Sequence, residues 1–337
     1  MKCTSLVDFF TFVVKDALVE GDTVDWRSVL QDYLEMDTAL FEDNGHRLRG
    51  YSKCLEFGGI SIGYEAYGAL DKSHVCVSMS GQGCRYFERF GSNFLKLFCK
   101  VHLNPNARAT RLDIAYDFTD GLSFSRFIDV FHTDGCRVRS HVCHQSVILE
   151  KLHEVEAGGT FYIGNYHASE QFVRIYNKSH QMYSPTDINY DKTWVRVEHV
   201  MKREYANAAI AAILNSGPDD FGGTVSSILN GFMTIVDESD QNISRCKVVQ
   251  WWADALETLA AVKLWEPGHV VHTVTRKMQY MRDAFAPTVA MICSALGNDY
   301  NFNYFINRLV RDGTYRMSER QRSLAQSYRM SPSGLPF

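Results

Sequence analysis

Three stretches hold side chains whose types and spacing suit work on a phosphate ester. They are Thr110-Arg111-Leu112-Asp113-Ile114-Ala115-Tyr116-Asp117-Phe118, Phe172-Val173-Arg174-Ile175-Tyr176-Asn177-Lys178 and Trp194-Val195-Arg196-Val197-Glu198. Each alternates apolar and polar residues with period two, as a half-buried strand does. The polar faces that emerge are Arg111/Asp113/Asp117, Arg174/Tyr176/Lys178 and Arg196/Glu198. Carboxylates gathered in this way suit a hard cation such as Mg²⁺ or Mn²⁺. Tyr176 is the candidate nucleophile. A phenol ionises near pH ~10, so it attacks phosphorus only with help, and Arg174 and Lys178 on the same face would supply a favourable field. Together these groups imply a site that breaks and rejoins phosphodiester bonds.

Each feature has a plainer competitor. The carboxylates could belong to a solvated strand face balanced by Arg111 and Arg196, since surface ion pairs are common. Tyr176 is one of 17 tyrosines, and Tyr162, Tyr166 and Tyr190 are its rivals. Ser80-Gly81-Gln82-Gly83-Cys84-Arg85 opens a helix and could receive a phosphate on backbone N–H groups, with Arg85 adding charge. It is not a P-loop, because Gly-Lys-Ser/Thr is missing. Cys136, His141, Cys143 and His144 match no zinc-finger spacing, and a buried strand accounts for them better. A His-apolar-His strand, which a histidine-dependent relaxase-like nuclease would need, is absent: His141/His144 and His269/His272 each enclose two residues.

The elements that must position this chemistry follow from periodicity. Strands are expected at Leu6–Val14, Tyr51–Phe57, Ile60–Tyr64 and His74–Ser80, with Gly58-Gly59 as a hairpin turn. Helices are expected over Asp25–Phe41, Tyr86–Val101 and Phe124–Thr133. Arg137–Leu149 reads as one strand, and Thr160–Gly164 with Gln171–Asn177 as a hairpin. After Lys202 the texture turns helical: Glu204–Leu214, Val225–Val236, Cys246–Trp265, Val270–Phe285, a helix opened by Pro287, Tyr300–Arg311 and Ser318–Tyr328, the last with a capping box at Ser318 and Gln321. The fold expected is α+β: an antiparallel-rich central sheet with flanking helices over 1–205, then a helical lobe over 206–337.

A chain of 337 residues with 45% hydrophobic and 22% charged residues is of ordinary globular composition. Its net charge of −4 gives no bulk attraction to nucleic acid, so any such contact needs a local basic patch. Arg308, Arg311, Arg316, Arg320, Arg322 and Arg329, interleaved with Tyr304, Tyr315 and Tyr328, offer one. Nine scattered cysteines without a C-x-x-C pair suit reduced thiols in a cytoplasm. The apolar run Phe9–Val14 is too short for a membrane span, so neither a signal peptide nor a membrane partner is expected.

Several pieces occur in one order across residues 6–205: Val7-Asp8-Phe9-Phe10-Thr11-Phe12, Ser80 to Glu88, Thr110 to Asp117, Thr160 to Gly164, Arg174 to Lys178 and Arg196-Val197-Glu198. In these the chain resembles the Rep_trans-type initiators of rolling-circle replication, found on plasmids, conjugative elements and filamentous phages. The resemblance implies a nickase in a prokaryotic cytoplasm that leaves a 5′-phosphotyrosine link and a free 3′-OH. By residue-to-residue transfer it implies Tyr176 as nucleophile, Asp113 and Glu198 as ligands of Mg²⁺ or Mn²⁺, Asp117 as a third ligand, and Lys178 and Arg174 steadying the phosphate. Arg85, Arg111, Arg196, Arg316 and Arg320 are the expected DNA contacts. Origin DNA, hairpin or single-stranded at the nick, is the implied partner, with a homodimer and a host helicase as further expectations. The alternative is a non-catalytic DNA-binding regulator with the same fold, which would be favoured if Tyr176 and Asp113 lay on different faces of the sheet.

Overall fold

Two long strands, β1 (Lys2–Val14) and β7 (Ala107–Thr119), pair antiparallel along most of their length and form the spine of the protein. A computed structural model describes residues 2–15, 19–20, 23–43, 45–67, 73–119, 121, 123–132, 135–140, 142–149, 156–183, 187–191, 193–217, 219–260, 278, 281–317, 322 and 325. On one side of the spine lie β6 (Val75–Met79), β5 (Ile60–Ala66) and the edge strand β4 (Tyr51–Phe57). On the other lie β12 (Val195–Lys202), β11 (Gln171–Asn177), β10 (Glu156–Ile163) and the edge strand β9 (Cys143–Leu149). Every pairing in this nine-stranded sheet is antiparallel. The β4–β5 hairpin turns at Gly58 and Gly59, whose φ of 56° and 85° give the left-handed pair that a tight turn of matching twist requires. Two small ribbons stand apart from the sheet. One pairs β2 (Val19–Glu20) with β3 (Thr23–Val24), the other β8 (Cys136–Val138) with β13 (Met233–Ile235).

Period-two alternation gives the sheet one apolar face, and helices cover it. On β7, Leu112, Ile114, Tyr116 and Phe118 are fully buried there. Helix α3 (Phe94–Leu103) brings Phe98 against Phe10 at 5.1 Å, and α4 (Phe124–His132) brings Phe131 against Phe161, also at 5.1 Å. Helix α6 (Arg203–Ser216) packs on β7, while α7 (Phe221–Phe232) accepts a 2.7 Å hydrogen bond at Val225 from the Tyr116 hydroxyl. Trp252 of α8 (Gln250–Ala260) stacks on Phe118 at 5.5 Å. Each such side chain contributes about 1.5–3 kcal/mol by leaving water, so this face is the core.

Several boundaries differ from the sequence expectation for local reasons. The helix expected over Asp25–Phe41 begins with α1 (Trp26–Val29), capped by Asp25, and continues only as a π-helical turn to Leu34, because Glu35 adopts a left-handed φ of 55°. The helix expected over Tyr86–Val101 is two: α2 (Gly81–Arg89), and α3, whose first turn is capped by Asn93 Oδ1 on Leu95 N at 2.7 Å. Arg137–Leu149 is not one strand. Its halves serve different sheets, β8 with β13 and β9 with β10. The strand expected to reach Lys178 stops at Asn177, whose side chain caps α5 (Lys178–Met182).

The chain forms two compact units, Met1–Phe87 with Ser92–Trp265 and Glu88–Gly91 with Glu266–Phe337. The break expected after residue 205 therefore falls elsewhere: α6, α7 and α8 supply the lid of the sheet and belong to its unit. In the second unit, the helices Ala286–Leu296, with Pro287 in its first turn, and Asp299–Arg316 are described. Most of Val270–Phe285, all of Ser318–Tyr328 except Arg322 and Ala325, and Arg329 lie outside the described residues, and with them Arg320 and the capping box at Ser318 and Gln321. Among the described residues no helix is long and apolar enough to cross a membrane.

Candidate active site

The face of the sheet turned away from those helices carries the charged groups, and strand order decides which of them meet. β12 sits between β7 and β11, so Arg196 is registered with Asp117 on one side and Tyr176 on the other, and Glu198 with Ala115 and Arg174. Asp113 is registered with Val200, one step along the same face. Asp113, Glu198, Arg174 and Tyr176 thus share one surface.

Their contacts are specific. The Tyr176 hydroxyl donates to Glu198 Oε1, and Arg174 Nε donates to Glu198 Oε2. Arg111 grips Asp113 with two bonds, Nε to Oδ1 at 2.8 Å and Nη2 to Oδ2 at 2.6 Å. Arg174 Nη2 lies 3.9 Å from Asp113 Oδ2, so one guanidinium spans both carboxylates. Arg111 also stacks over the Phe9 ring, its guanidinium carbon 4.3 Å from the centroid. Asp113 and Glu198 are 0% and 1% exposed, whereas Arg174 and Arg111 keep 34% and 31% of their side-chain surface in water. The expected solvated strand face is therefore a buried ion-pair network whose cations form its roof.

Burial sets the proton affinities. It raises the Tyr176 phenol far above its ordinary value, and the Glu198 charge adds to the rise. Burial also raises Glu198, against the pull of Arg174, and raises Asp113, against the pull of Arg111. Arg174 and Lys178 were expected to ease ionisation of Tyr176, but the cation whose charge lowers its proton affinity is Arg196, registered beside it on β12. Arg174 is spent on Glu198, and Lys178 stands at the start of α5 with its Nζ 5.8 Å from the Tyr176 ring centroid, donating to Gln181 Oε1 at 2.7 Å. Burial, with Arg196 nearby, holds the Lys178 ammonium below its usual range. What Tyr176 has at hand is a proton acceptor, a buried carboxylate made more basic by its surroundings.

A second network lies beside the first. Arg196 donates to both oxygens of Asp117 at 2.7 Å each, and to Asp8 Oδ1 at 2.9 Å. Arg196, expected as a DNA contact, is thus buried with its guanidinium held by Asp117 and Asp8. Asp117, expected as a third ligand, has both oxygens held by Arg196 and belongs to this second network, apart from Asp113 and Glu198. Asp8 was missed as a site residue. It is the extra residue of a β-bulge between Val7, paired with Ile114, and Phe9, paired with Asp113. A bulge re-aims one side chain, and here the lone acid in an apolar strand was the available signal. Asp8 adds repulsive charge to both Glu198 and Asp113.

The remaining expected sites separate. Arg85 donates to the Val7 carbonyl beside the bulge. The Ser80–Arg85 turn is a self-capped helix start: Ser80 Oγ accepts from Gly83 N at 3.3 Å, and a Cβ on Gly83 would lie 2.3 Å from the Gly59 carbonyl oxygen. Its glycine permits close packing, which the phosphate-binding expectation did not include. Arg316 is exposed at the end of the helix Asp299–Arg316, in the other unit. Among the described residues no group of three or more His, Cys, Asp or Glu side chains is arranged to hold a metal ion. Asp113 and Glu198 do supply the oxygen chemistry that Mg²⁺ or Mn²⁺ takes, and such ions are commonly held by one or two carboxylates with water and phosphate oxygens completing the shell.

An antiparallel sheet carries helices on one face and a buried tyrosine, carboxylate and arginine network on the other, and comparison with known proteins says to which class such a chain belongs. The model of the replication initiation factor family matches residues 107–310, and that of the rolling-circle replication initiation protein N-terminal domain matches residues 17–98. The chain belongs to the replication initiation factor family of rolling-circle replication proteins. It is 25% identical over 300 residues to the putative DNA relaxase NicK of Bacillus subtilis (strain 168), covering 86% of this chain and 81% of that protein. The solved structure of a rolling circle replication initiator protein from Geobacillus stearothermophilus superposes with a TM-score of 0.65 at 22% identity, over 78% of this chain and 98% of that one, and shares the fold.

Proposed function

We propose that this protein nicks and rejoins one strand of an origin DNA through a covalent bond to Tyr176. The observation that carries the reading is the hydrogen bond from the Tyr176 hydroxyl to Glu198, with Arg174 holding the other carboxylate oxygen. The Tyr176 oxygen attacks phosphorus, the bond from phosphorus to the 3′ oxygen breaks, and the phenolic proton passes to Glu198. The products are a 5′-phosphotyrosine and a 3′ oxygen that takes a proton from solvent. The reverse sequence rejoins the strand. Direct transfer to a basic carboxylate answers the raised proton affinity of the phenol, since free phenolate is never needed.

Asp113 and Glu198 would hold a divalent cation, Mg²⁺ or Mn²⁺, which supplies charge to the non-bridging phosphate oxygens and the leaving oxygen. Arg111 and Arg174, partly exposed, are placed to exchange carboxylate for phosphate oxygens as substrate arrives. That Tyr176 and Asp113 occupy one face supports catalysis over the regulator reading. The test is a labelled single-stranded origin oligonucleotide with a trapping leaving group, incubated with protein and Mg²⁺ or Mn²⁺ and run on a denaturing gel. A covalent adduct forms with the parent chain and disappears with Tyr176→Phe, which keeps the ring and its packing. An adduct that persists, or that maps by peptide sequencing to Tyr162, Tyr166 or Tyr190, overturns the assignment.

A further inference from the structure

The active-site face does not end at Arg174. Across β11, Tyr162 of β10 is registered directly with Arg174, and His144 of β9 directly with Tyr162. The turn that follows β10 adds Tyr166 and His167. Tyr162 and Tyr166 have ring centroids 4.6 Å apart and 30° between planes, His144 lies 6.1 Å and 5.7 Å from the two tyrosines, and His167 lies 4.0 Å from Tyr166. The two tyrosines are half-buried and the two histidines exposed. Adjacent strands are about 4.8 Å apart, so Tyr162 stands roughly two strands, about 10 Å, from Glu198. None of these rings is used in the chemistry above.

The turn is held in place. Asn165 Oδ1 accepts from His167 N at 3.0 Å and Ala168 N at 3.1 Å, and Gly164 N donates to the Val142 carbonyl at 2.7 Å. Lys202 Nζ donates to the carbonyls of Tyr166 at 3.5 Å and Ser169 at 3.3 Å while lying 5.0 Å from the Phe172 ring centroid. Lys202 is registered with Arg111, so the platform is joined by cations to the edge of the active site. Partly exposed rings at near-stacking distance, fixed before any ligand arrives and continuous with a cationic face, are what unpaired bases require: every base offers a π-face, and a rigid platform loses little entropy on binding.

We propose that Tyr162, Tyr166 and His144 form a stacking platform for the unpaired bases next to the scissile phosphate. The inference rests on the Tyr176 face being the one that meets DNA, but not on Tyr176 being the nucleophile.

The experiment therefore uses binding alone. Full-length Tyr176→Phe protein, which forms no adduct, is titrated with fluorescent single-stranded and duplex oligonucleotides of origin sequence across a salt series. Tyr162→Leu and Tyr166→Leu, each added to that background, should weaken single-strand binding about 10-fold, within the range for losing one stacked base. Duplex affinity and the salt slope should stay the same, because no phosphate contact is lost. Tyr166→Phe, which keeps the ring, should bind like the parent. A 2-aminopurine base placed beside the nick site should be quenched on binding to the parent and recover with the leucine variants. Unchanged single-strand affinity in both leucine variants, equal losses for duplex, or absence of single-strand binding by the parent would each overturn the platform. Loss of nicking in Tyr176→Phe with normal quenching separates this proposal from the assignment of the nucleophile.

Discussion

Tyr176 gives its phenolic hydrogen bond to Glu198, a carboxylate buried to 1% exposure and held from the other side by Arg174. The pair sits on adjacent strands, Tyr176 registered with Arg196 and Glu198 with Arg174, so the contact is diagonal across the β11–β12 ladder. With Tyr176 as the proposed nucleophile, this contact makes the acid–base step depend on one side chain.

Glu198→Gln should keep the size of the side chain and remove the acceptor for the phenolic proton. Nicking should fall roughly 100- to 10,000-fold, the usual span for losing a general base, while single-strand binding changes little. Single-turnover cleavage rates with the trapping oligonucleotide measure this. A rate within a few-fold of the parent would assign the proton to another acceptor.

Asp117→Ala and Arg196→Met separate a structural from a metal-holding role for the second network. Breaking one side of a buried pair leaves a charge without its partner, which costs about 3–5 kcal/mol, and Arg196 and Asp117 are only 7% and 11% exposed. Chemical denaturation should show Asp117→Ala strongly destabilised, with the Mg²⁺ or Mn²⁺ concentration for half-maximal nicking unchanged in whatever fraction folds. A raised metal requirement at parent-like stability would return Asp117 to the ligand set.

His199 faces the helices, with Gln171 Nε2 2.8 Å from its Nε2 and the Phe232 ring centroid 5.0 Å away. Burial lowers its pKa from 6.5 to about 3. The folded chain therefore binds fewer protons here than the unfolded one between those values. The contribution is present above pH 6.5 and is lost as pH falls toward 3. His199→Gln, which cannot titrate, should show a shallower drop in melting temperature than the parent between pH 6.5 and 4.5. Parallel curves would mean that His199 gains a compensating partner when charged.

Arg316→Glu tests the second unit as a DNA contact. Arg316 is exposed, and its Nε donates to the Asp312 carbonyl at 3.3 Å. If it meets a phosphate, affinity for duplex origin should fall and the slope of log affinity against log salt should flatten by about 1. An unchanged slope would move recognition to the sheet unit.

The sequence by itself determined which residues point the same way. Period-two alternation is a property of one strand, and it assigned Asp113 and Asp117, Arg174 and Tyr176, and Arg196 and Glu198 to the faces on which they are found. Capping and turn chemistry likewise located the Gly58-Gly59 hairpin and the Pro287 helix start, because both are local. What only the tertiary structure decided is which strands are neighbours. By inserting β12 between β7 and β11, the fold pairs Arg196 with Asp117 and Arg174 with Glu198, and so divides one apparent acidic cluster into a site and a scaffold. It also decided burial: an alternating polar face reads as solvated, yet Asp113 and Glu198 are covered by the arginines they attract. Asp8 joined the scaffold through a one-residue bulge that no periodicity contains, and α6–α8 joined the sheet because its apolar face needed a cover. Register and cover are long-range choices made by packing energy, and a pattern within one strand holds no record of them.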